Sequence, residues 1–273
     1  MVMAERTVVA GVDGSEASAR AAMWAADDAA RQPASMQLVL AYGAARHQRD
    51  AERLVRELAG RCRADQPGLH VGNEAVPRDP ADELLERSAT ASTVVVGSRG
   101  HGAIRDVLLG SVSAAVATQA RCPVVVVRGQ VVSGAVVVGI GPFRSSAPAV
   151  EFAFAAAQRH ATEVLAVQAI PDAYLLPGVA LDERRQEVQE QAETRVAELL
   201  DDCAGRYPDV PVRRVTTDQH PVEALCEQAQ HGRMVVVGRR ERSSAVTRLG
   251  STALGTLHHS PCPVAVVPQE VAQ

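Results

Sequence analysis

The sequence predicts an α/β fold made of two tandem doubly wound domains, each a five-stranded parallel sheet with helices on both faces. The chain has 273 residues, the length of about two ordinary domains. It also contains an internal repeat. In both copies, short runs of β-branched residues alternate with longer amphipathic stretches, which is the pattern of parallel strands joined by helical crossovers.

The internal repeat is visible at both ends of each half. Residues 8–15 (VVAGVDGS) return as residues 136–143 (VVVGIGPF). Each half later has an apolar run that ends in glycine, followed by a Cys-Pro-Val strand. The later segments of the two halves lie further apart in sequence than their opening segments do. The second half therefore carries an insertion, at about 171–182. We therefore predict domains at residues 1–129 and 134–273, with a linker marked by Gly and Ser.

The elements of the first half follow from local pattern. Leu54, Val55 and Leu58 recur at helical spacing among charged residues, whereas the run 94–96 is apolar without alternation, as in a strand covered on both faces. The predicted strands are 7–12, 36–42, 69–76, 93–97 and 123–127, and the predicted helices are 15–31, 47–65, 79–89 and 111–120.

The second half repeats this order. A long charged helix at 182–205 follows the insertion, and its charge run is typical of a solvated face. The predicted strands are 135–140, 163–169, 211–217, 233–237 and 263–267.

The last strand of each half is predicted to pair with the other. Both strands are apolar and begin directly after a proline, Pro123 or Pro263. Proline is tolerated at a strand's first position, and an exposed apolar edge is usually covered. The equivalent edge of the other half is tethered nearby. We therefore expect the two strands to pair antiparallel across a pseudo-twofold axis.

Composition excludes several classes of function. The net charge is -4, so a binder of the nucleic-acid backbone, which needs a basic stripe, is not expected. The 28 cationic residues are all arginine. A phosphate-binding P-loop, a protein kinase and a Schiff-base enzyme each need a lysine and are excluded.

The sequence suggests a cytoplasmic location. No signal peptide is visible at the N-terminus, and no window of about 18 consecutive apolar residues predicts a membrane span. The five cysteines are scattered and form no Cys-x-x-Cys pair, as expected for reduced thiols.

The loop after the fourth strand is the candidate ligand site. Ligands of open α/β sheets bind beyond the carboxyl ends of the strands, near the point where strand order reverses. Residues 97–113 follow the pattern Gly-x2-Gly-x9-Gly-Ser. We expect Gly97, Gly100 and Gly102 to allow a turn with positive φ and the close approach of a ligand.

Polar residues in and near this loop fit an anion. Ser111 stands at a predicted helix start, where its hydroxyl can cap the helix or reach an anion. Arg99 and Arg105 add positive charge, and Asp13, at the end of the first strand, can accept hydrogen bonds from ribose hydroxyls. The same residues can be explained without a ligand. The glycine-rich loop is then a plain turn, Ser111 belongs to a plain helix cap, and Asp13 is a turn former in the sequence Asp-Gly-Ser.

With these residues and the closing Cys122-Pro123 strand, the sequence resembles a tandem universal stress protein of the ATP-binding branch, over essentially the whole chain. The resemblance implies a fold like that of adenine nucleotide α-hydrolases and a nucleotide-dependent regulatory role in stress. It also implies that the two domains pair through their last strands, with a homodimer of the whole chain as a further option. It implies ATP, with or without Mg2+, as the ligand, with Asp13 at the ribose and the backbone near Ala41 at the adenine. The residues implied for ATP are Gly11, Asp13, Ala41, Gly97, Ser98, Arg99, Gly100, His101, Gly102, Ala103, Gly110, Ser111, Val112 and Ser113.

The second half departs from this pattern. Gly141 stands at the position of Asp13, and Glu241 replaces the middle glycine of a loop that is one residue shorter. ATP is therefore expected mainly in the first half. A weaker second site would use Gly139, Gly238, Arg239, Arg240, Gly250, Ser251 and Thr252.

Two other functions remain open at this stage. An enzyme that splits ATP between its α and β phosphates would carry Ser-Gly-Gly-x-Asp-Ser after the first strand, which residues 13–16 do not supply. A structural pseudo-dimer with vestigial pockets needs no ligand. No Gly-x-Ser-x-Gly elbow indicates a catalytic serine, and the adjacent His258 and His259 are poor joint metal ligands.

Overall fold

The computed structural model describes residues 6–43, 47–100, 109–130, 132–141, 146–170, 181–239 and 249–269, without the side chains of 181–189, 191, 192 and 195. The first half contains β1 (Arg6–Gly11), α1 (Glu16–Ala30), β2 (Ala34–Ala41), α2 (Gln48–Asp65), β3 (Val71–Val76), α3 (Pro80–Arg87), β4 (Thr93–Gly97), α4 (Ser111–Gln119) and β5 (Val124–Val127). The second contains β6 (Val136–Ile140), α5 (Ala147–Arg159), β7 (Val164–Ala169), α6 (Leu181–Arg206), β8 (Val212–Thr217), α7 (Pro221–Gln228), β9 (Met234–Arg239), α8 (Ser251–His259) and β10 (Val264–Pro268).

The strands form one ten-stranded sheet in the order β3-β2-β1-β4-β5-β10-β9-β6-β7-β8. Within each half all neighbouring strands are parallel. The chain moves outward from β1 to β3 and then returns to the other side of β1 at β4, so strand order reverses between β1 and β4. The predicted α/β class, with doubly wound halves, is confirmed.

The two halves join at β5 and β10, the strands for which the sequence predicts antiparallel pairing. Val264 lies opposite Val126, and Ala265 lies opposite Val125, in an antiparallel register. All four residues of β5 are buried. Each half therefore covers the apolar edge that the other would otherwise expose.

Helices cover both faces of the sheet. Alternate strand residues pack with α1, α2, α5 and α6 in one core, which contains Leu38, Val55 and Phe154. The intervening residues pack with α3, α4, α7 and α8 in a second core, which contains Leu84 and Leu257. This double burial explains why the central strands are apolar without alternation.

Side-chain caps fix where the helices begin. Ser15 caps α1 by accepting a hydrogen bond from the backbone N–H of Ser18 at 3.2 Å. Asp79 and Pro80 begin α3, and His220 and Pro221 begin α7 at the corresponding place of the second half. Proline suits the first helical turn because no intrahelical acceptor is available to its missing N–H.

Candidate functional site

Asp13 lies directly after β1, at the switch point between β1 and β4. Its Oδ1 accepts a hydrogen bond from the backbone N–H of Ser15 at 2.9 Å, and its own N–H donates to Ser18 Oγ at 3.3 Å. Gly14, with φ of 87°, makes the turn between strand and helix. These contacts hold the half-buried carboxylate at the carboxyl edge of the sheet, where ligands of this fold class bind.

Gly100 faces the carboxylate of Asp13. A Cβ built on Gly100 would lie 2.4 Å from Asp13 Oδ2, closer than real Cβ atoms approach an oxygen. The prediction of a positive φ is wrong for both Gly97 and Gly100, because among the described glycines only Gly14 and Gly129 have one. Close approach, not backbone conformation, accounts for glycine at position 100.

Gly97 and Gly11 are explained by packing. A Cβ on Gly97 would lie 2.9 Å from the backbone carbonyl carbon of Ala17, in the first turn of α1. A Cβ on Gly11 would lie 2.6 Å from Leu84 Cδ1. These two glycines bring helices close to the strand ends, and their loss would act first on the fold.

The described ends of the loop are tied to each other. The N–H of Gly110 donates to the carbonyl of Ser98 at 2.9 Å, and Ser113 Oγ donates to the carbonyl of Gly97 at 2.6 Å. Ser113 is buried, so its hydroxyl serves the loop structure. Val112, the second residue of α4, is half-buried beside it. The start of α4 is thereby held against the end of β4.

Ser111 is the first residue of α4 and is exposed. The residue at the cap position is Gly110, so the option that Ser111 caps the helix is wrong. A helix start without a side-chain cap leaves backbone N–H groups directed outward, and the helix dipole favours an anion there.

Ala41 ends β2 beside the same crevice. The N–H of Val12 donates to the carbonyl of Val39 at 2.9 Å, and the N–H of Tyr42 donates to Val76 on the other side. Alternate residues of a strand direct their backbone groups to the same side. Ala41 therefore directs its backbone groups, like Val39, towards the side of β1, beyond the point where β1 ends.

Arg99 is exposed in the loop, and Arg128 stands close behind it at the end of β5. Burial lowers the pKa of Arg128, the nearby Cys226 thiol opposes this, and the charge of Arg99 lowers it further. Nη1 of Arg128 donates to the carbonyl of Leu257 in the last turn of α8. Sequence reasoning missed Arg128, because no local motif shows that the residue after β5 reaches the other half.

His101, Gly102, Ala103 and Arg105 lie outside the described residues, as do Arg240 and Glu241 of the second half. The rest of the implied ATP residues are brought to one edge of the sheet, around the crevice between β1 and β4.

The corresponding edge of the second half lacks the carboxylate but keeps the turn. The N–H of Gly141 donates to Ser146 Oγ at 3.0 Å, as the N–H of Asp13 donates to Ser18 Oγ in the first half. Gly139 packs against Leu225, as Gly11 packs against Leu84. No side chain at Gly141 can accept a hydrogen bond from a ligand.

The remaining second-half residues divide between fold and exposed edge. Arg239 is the last residue of β9 and is buried. Burial raises the pKa of the Cys122 thiol in the first half and the charge of Arg239 acts to lower it, so Arg239 lies near the junction between the halves. Gly238 pairs with Val267 in the sheet. Gly250, Ser251 and Thr252 form the start of α8, with Gly250 at its cap position.

Over the described part of the chain, no group of three or more His, Cys, Asp or Glu side chains could hold a metal ion. None of the helices described is long and apolar enough to cross a membrane.

The strand order and the two equivalent crevices define a tandem, doubly wound α/β protein. The sequence model of the universal stress protein family matches residues 5–128 and 134–268. The chain is 34% identical to Universal stress protein Rv2005c of Mycobacterium tuberculosis, over 96% of this chain and 97% of the relative. It is 31% identical to a universal stress protein of Mycolicibacterium smegmatis, again over 96% and 97%.

The chain therefore belongs to the universal stress protein family, with two family domains and a role in stress response. The crystal structure of a universal stress protein from Archaeoglobus fulgidus has the same fold. It matches with a TM-score of 0.72 and 20% identity over 98% of this chain and 97% of that chain.

Proposed function

We propose that this protein is an ATP-binding regulator that acts in the cytoplasm and holds ATP mainly in its first half. The approach of Gly100 to the carboxylate of Asp13 carries this proposal. It places an acceptor and a backbone segment without a side chain together at the switch point. That pairing suits a ligand with ribose hydroxyls and a phosphate tail.

The described residues fit the parts of ATP in turn. We assign Asp13 to the ribose, because its Oδ2 lies on the side of Gly100 while Oδ1 accepts a hydrogen bond from Ser15. We assign the backbone of Ala41 to the adenine, which has both donors and acceptors on its edge. The uncapped start of α4 and Arg99 would bind the phosphates.

The second half supports weaker binding. It lacks the carboxylate at Gly141, and loss of one charge-assisted hydrogen bond costs about 1.5–3 kcal/mol, roughly a tenfold to hundredfold loss of affinity. Its buried Arg239 is held at the junction between the halves. We therefore expect one tight ATP site per chain.

The test is the nucleotide content of the purified protein, followed by calorimetric titration. Mass spectrometry before and after denaturation should detect ATP that co-purifies, and titration of stripped protein should give one tight site. Asp13→Asn should weaken binding roughly tenfold or more, because the amide can still accept from Ser15 but presents donors to the ribose. Gly60→Ala is the matched control, because a Cβ there meets no atom within 4 Å.

Absence of ATP binding by the wild type would favour the vestigial-pocket alternative. Two equally tight sites per chain would contradict the asymmetry, although not ATP binding itself.

A further inference from the structure

Arg128 lies at the carboxyl edge of the sheet, one strand beyond the crevice between β1 and β4. Gly97 of β4 pairs with Val127 of β5, and the N–H of Ser98 donates to the carbonyl of Val127 at 3.1 Å. Arg128 is the next residue along the chain. It therefore lies beside the loop that carries Arg99, on the side of β4 that faces away from β1.

The hydrogen bonds of Arg128 leave its guanidinium group incompletely satisfied. Nη1 donates to the carbonyl of Leu257 in the last turn of α8, where a cation is expected to stabilise the helix end. Nε is buried and has no hydrogen-bond partner among the residues that the structure describes. Buried polar groups are nearly always hydrogen-bonded, so the contact with α8 does not by itself account for this side chain.

The positive charge of Arg128 lies close to a second positive charge. Burial lowers the pKa of Arg128 most, the charge of Arg99 lowers it further, and the thiols of Cys226 and Cys262 oppose both. Burial raises the pKa of these two thiols, so they carry little charge near neutral pH. No described carboxylate is among the groups that act on Arg128. An anion bound between the two guanidinium groups would relieve their repulsion.

The second half has no counterpart of Arg128. The strand register places Pro268 at the equivalent position, directly after Val267, and proline has neither a charge nor an N–H donor. The same half lacks the carboxylate, because Gly141 stands at the position of Asp13. The guanidinium group and the carboxylate therefore occur together, in the half for which we propose ATP binding.

The separation of Asp13 and Arg128 along the sheet suits a nucleotide with a long phosphate tail. The strands β1, β4 and β5 are successive in the sheet. Neighbouring strands lie about 4.8 Å apart, so the carboxyl ends of β1 and β5 are about 10 Å apart. A ribose at Asp13 needs more than one phosphate to reach Arg128, and Arg99, in the loop after β4, lies along this path.

We propose that Arg128, together with Arg99, binds the terminal phosphate of a nucleoside triphosphate and makes the crevice selective for ATP over AMP. This rests on the proposed function, which places the nucleoside part of ATP at Asp13. Arginine suits the role because its planar set of N–H donors can bind two phosphate oxygens at once. The phosphate supplies the partner that Nε lacks, while Nη1 keeps its contact with Leu257. The terminal phosphate is then held by a residue that also contacts the other half of the chain.

The proposal is tested by calorimetric titration of the full chain with ATP, AMP and inorganic tripolyphosphate. Arg128→Gln should weaken binding of ATP and tripolyphosphate roughly tenfold or more, since a charge-assisted hydrogen bond is lost. It should change AMP binding little, because AMP does not reach Arg128. Arg99→Gln should act in the same direction, and it should not disturb the fold because Arg99 is exposed. Arg121→Gln is the matched control, since Arg121 is exposed and precedes β5 at its other end.

The outcomes separate this proposal from ATP binding itself. An equal loss of ATP and AMP affinity in Arg128→Gln would overturn the proposal, because it would indicate a purely structural contact with α8. Absence of tripolyphosphate binding by the wild type, or its persistence in both arginine variants, would also overturn it, whatever the result for ATP. Tripolyphosphate binding that depends on Arg128 in a protein that binds no nucleotide would support the phosphate site and contradict the proposed function.

Discussion

Oδ1 of Asp28, near the end of α1, lies 2.9 Å from Nε2 of His160, which follows α5 in the other half of the chain. Both side chains are almost fully buried, and Nε of Arg159 approaches the same oxygen at 3.2 Å. Gln32 donates to the second oxygen at 3.1 Å. The contact links the two family domains through side chains, in addition to the pairing of β5 with β10.

Asp28→Asn should destabilise the protein by about 3–5 kcal/mol, because it removes the anion of a buried charged cluster and leaves Arg159 without its partner. Urea denaturation of the full chain measures the change. Glu16→Gln is the control, since it breaks an exposed pair with Arg20 and should cost about 0–1 kcal/mol. Equal effects of the two substitutions would show that the buried cluster contributes no more than a surface pair.

Asp28 should also contribute to acid sensitivity. Burial alone would raise its pKa, but the hydrogen bond from His160 and the charge of Arg159 outweigh burial and lower the pKa below its ordinary value. The stability from Asp28 is therefore fully present above the unfolded pKa of about 3.9 and is lost as pH falls through the lower folded value. Below about pH 4, wild type should lose more stability than Asp28→Asn. Parallel pH profiles for the two proteins would contradict this.

Gly100→Ala should weaken ATP binding while changing stability little. The new Cβ displaces the Asp13 carboxylate, which it would otherwise approach to 2.4 Å, and Gly100 is exposed. Calorimetric titration measures the loss, and roughly a tenfold change is expected if one charge-assisted hydrogen bond is lost. Gly60→Ala, in the exposed face of α2, should bind ATP normally and gain about 0.5–1 kcal/mol of stability. Normal ATP affinity in Gly100→Ala would remove this glycine from the site.

Gly97→Ala should act mainly on stability, whereas Gly100→Ala should act mainly on ATP binding. Its Cβ would lie 2.9 Å from backbone of Ala17, which cannot turn away as a side chain can. We expect a loss of about 1–3 kcal/mol of stability in the absence of nucleotide, as for other overpacked cores. Denaturation of stripped protein checks this, and a stability equal to that of Gly100→Ala would show that α1 shifts freely.

Cys226 should be the first thiol to react with maleimide in the native protein. It is half-buried, whereas the other four cysteines are buried. Burial raises the pKa of Cys122 to about 12 and that of Cys262 to about 11, so few thiolates are present near neutral pH. Peptide mapping after timed labelling gives the order, with fully unfolded protein as the reference. Labelling of Cys122 as fast as Cys226 would indicate opening of the β5–β10 junction.

The repeat, the element order and the position of the loop after β4 could be predicted from the sequence. Asp13, Gly100 and Ser111 could be selected as candidate site residues, because turn and helix-start residues leave local signals. The reason for Gly100 could not be predicted. The sequence suggested a positive φ, whereas the structure places the carboxylate of Asp13 against it. That contact joins residues far apart in the chain and depends on how β1 lies beside β4.

The sequence by itself determined the fold class and the two tandem halves, because hydrophobic periodicity records which faces of each element are buried. Only the tertiary structure decided which residues of different elements meet. The contacts of Asp28 with His160 and of Arg128 with Leu257 each depend on the packing of elements that are distant in sequence. Periodicity shows that a residue is buried but not which residue it contacts. Such contacts are therefore established only when helices pack on both faces of the ten-stranded sheet.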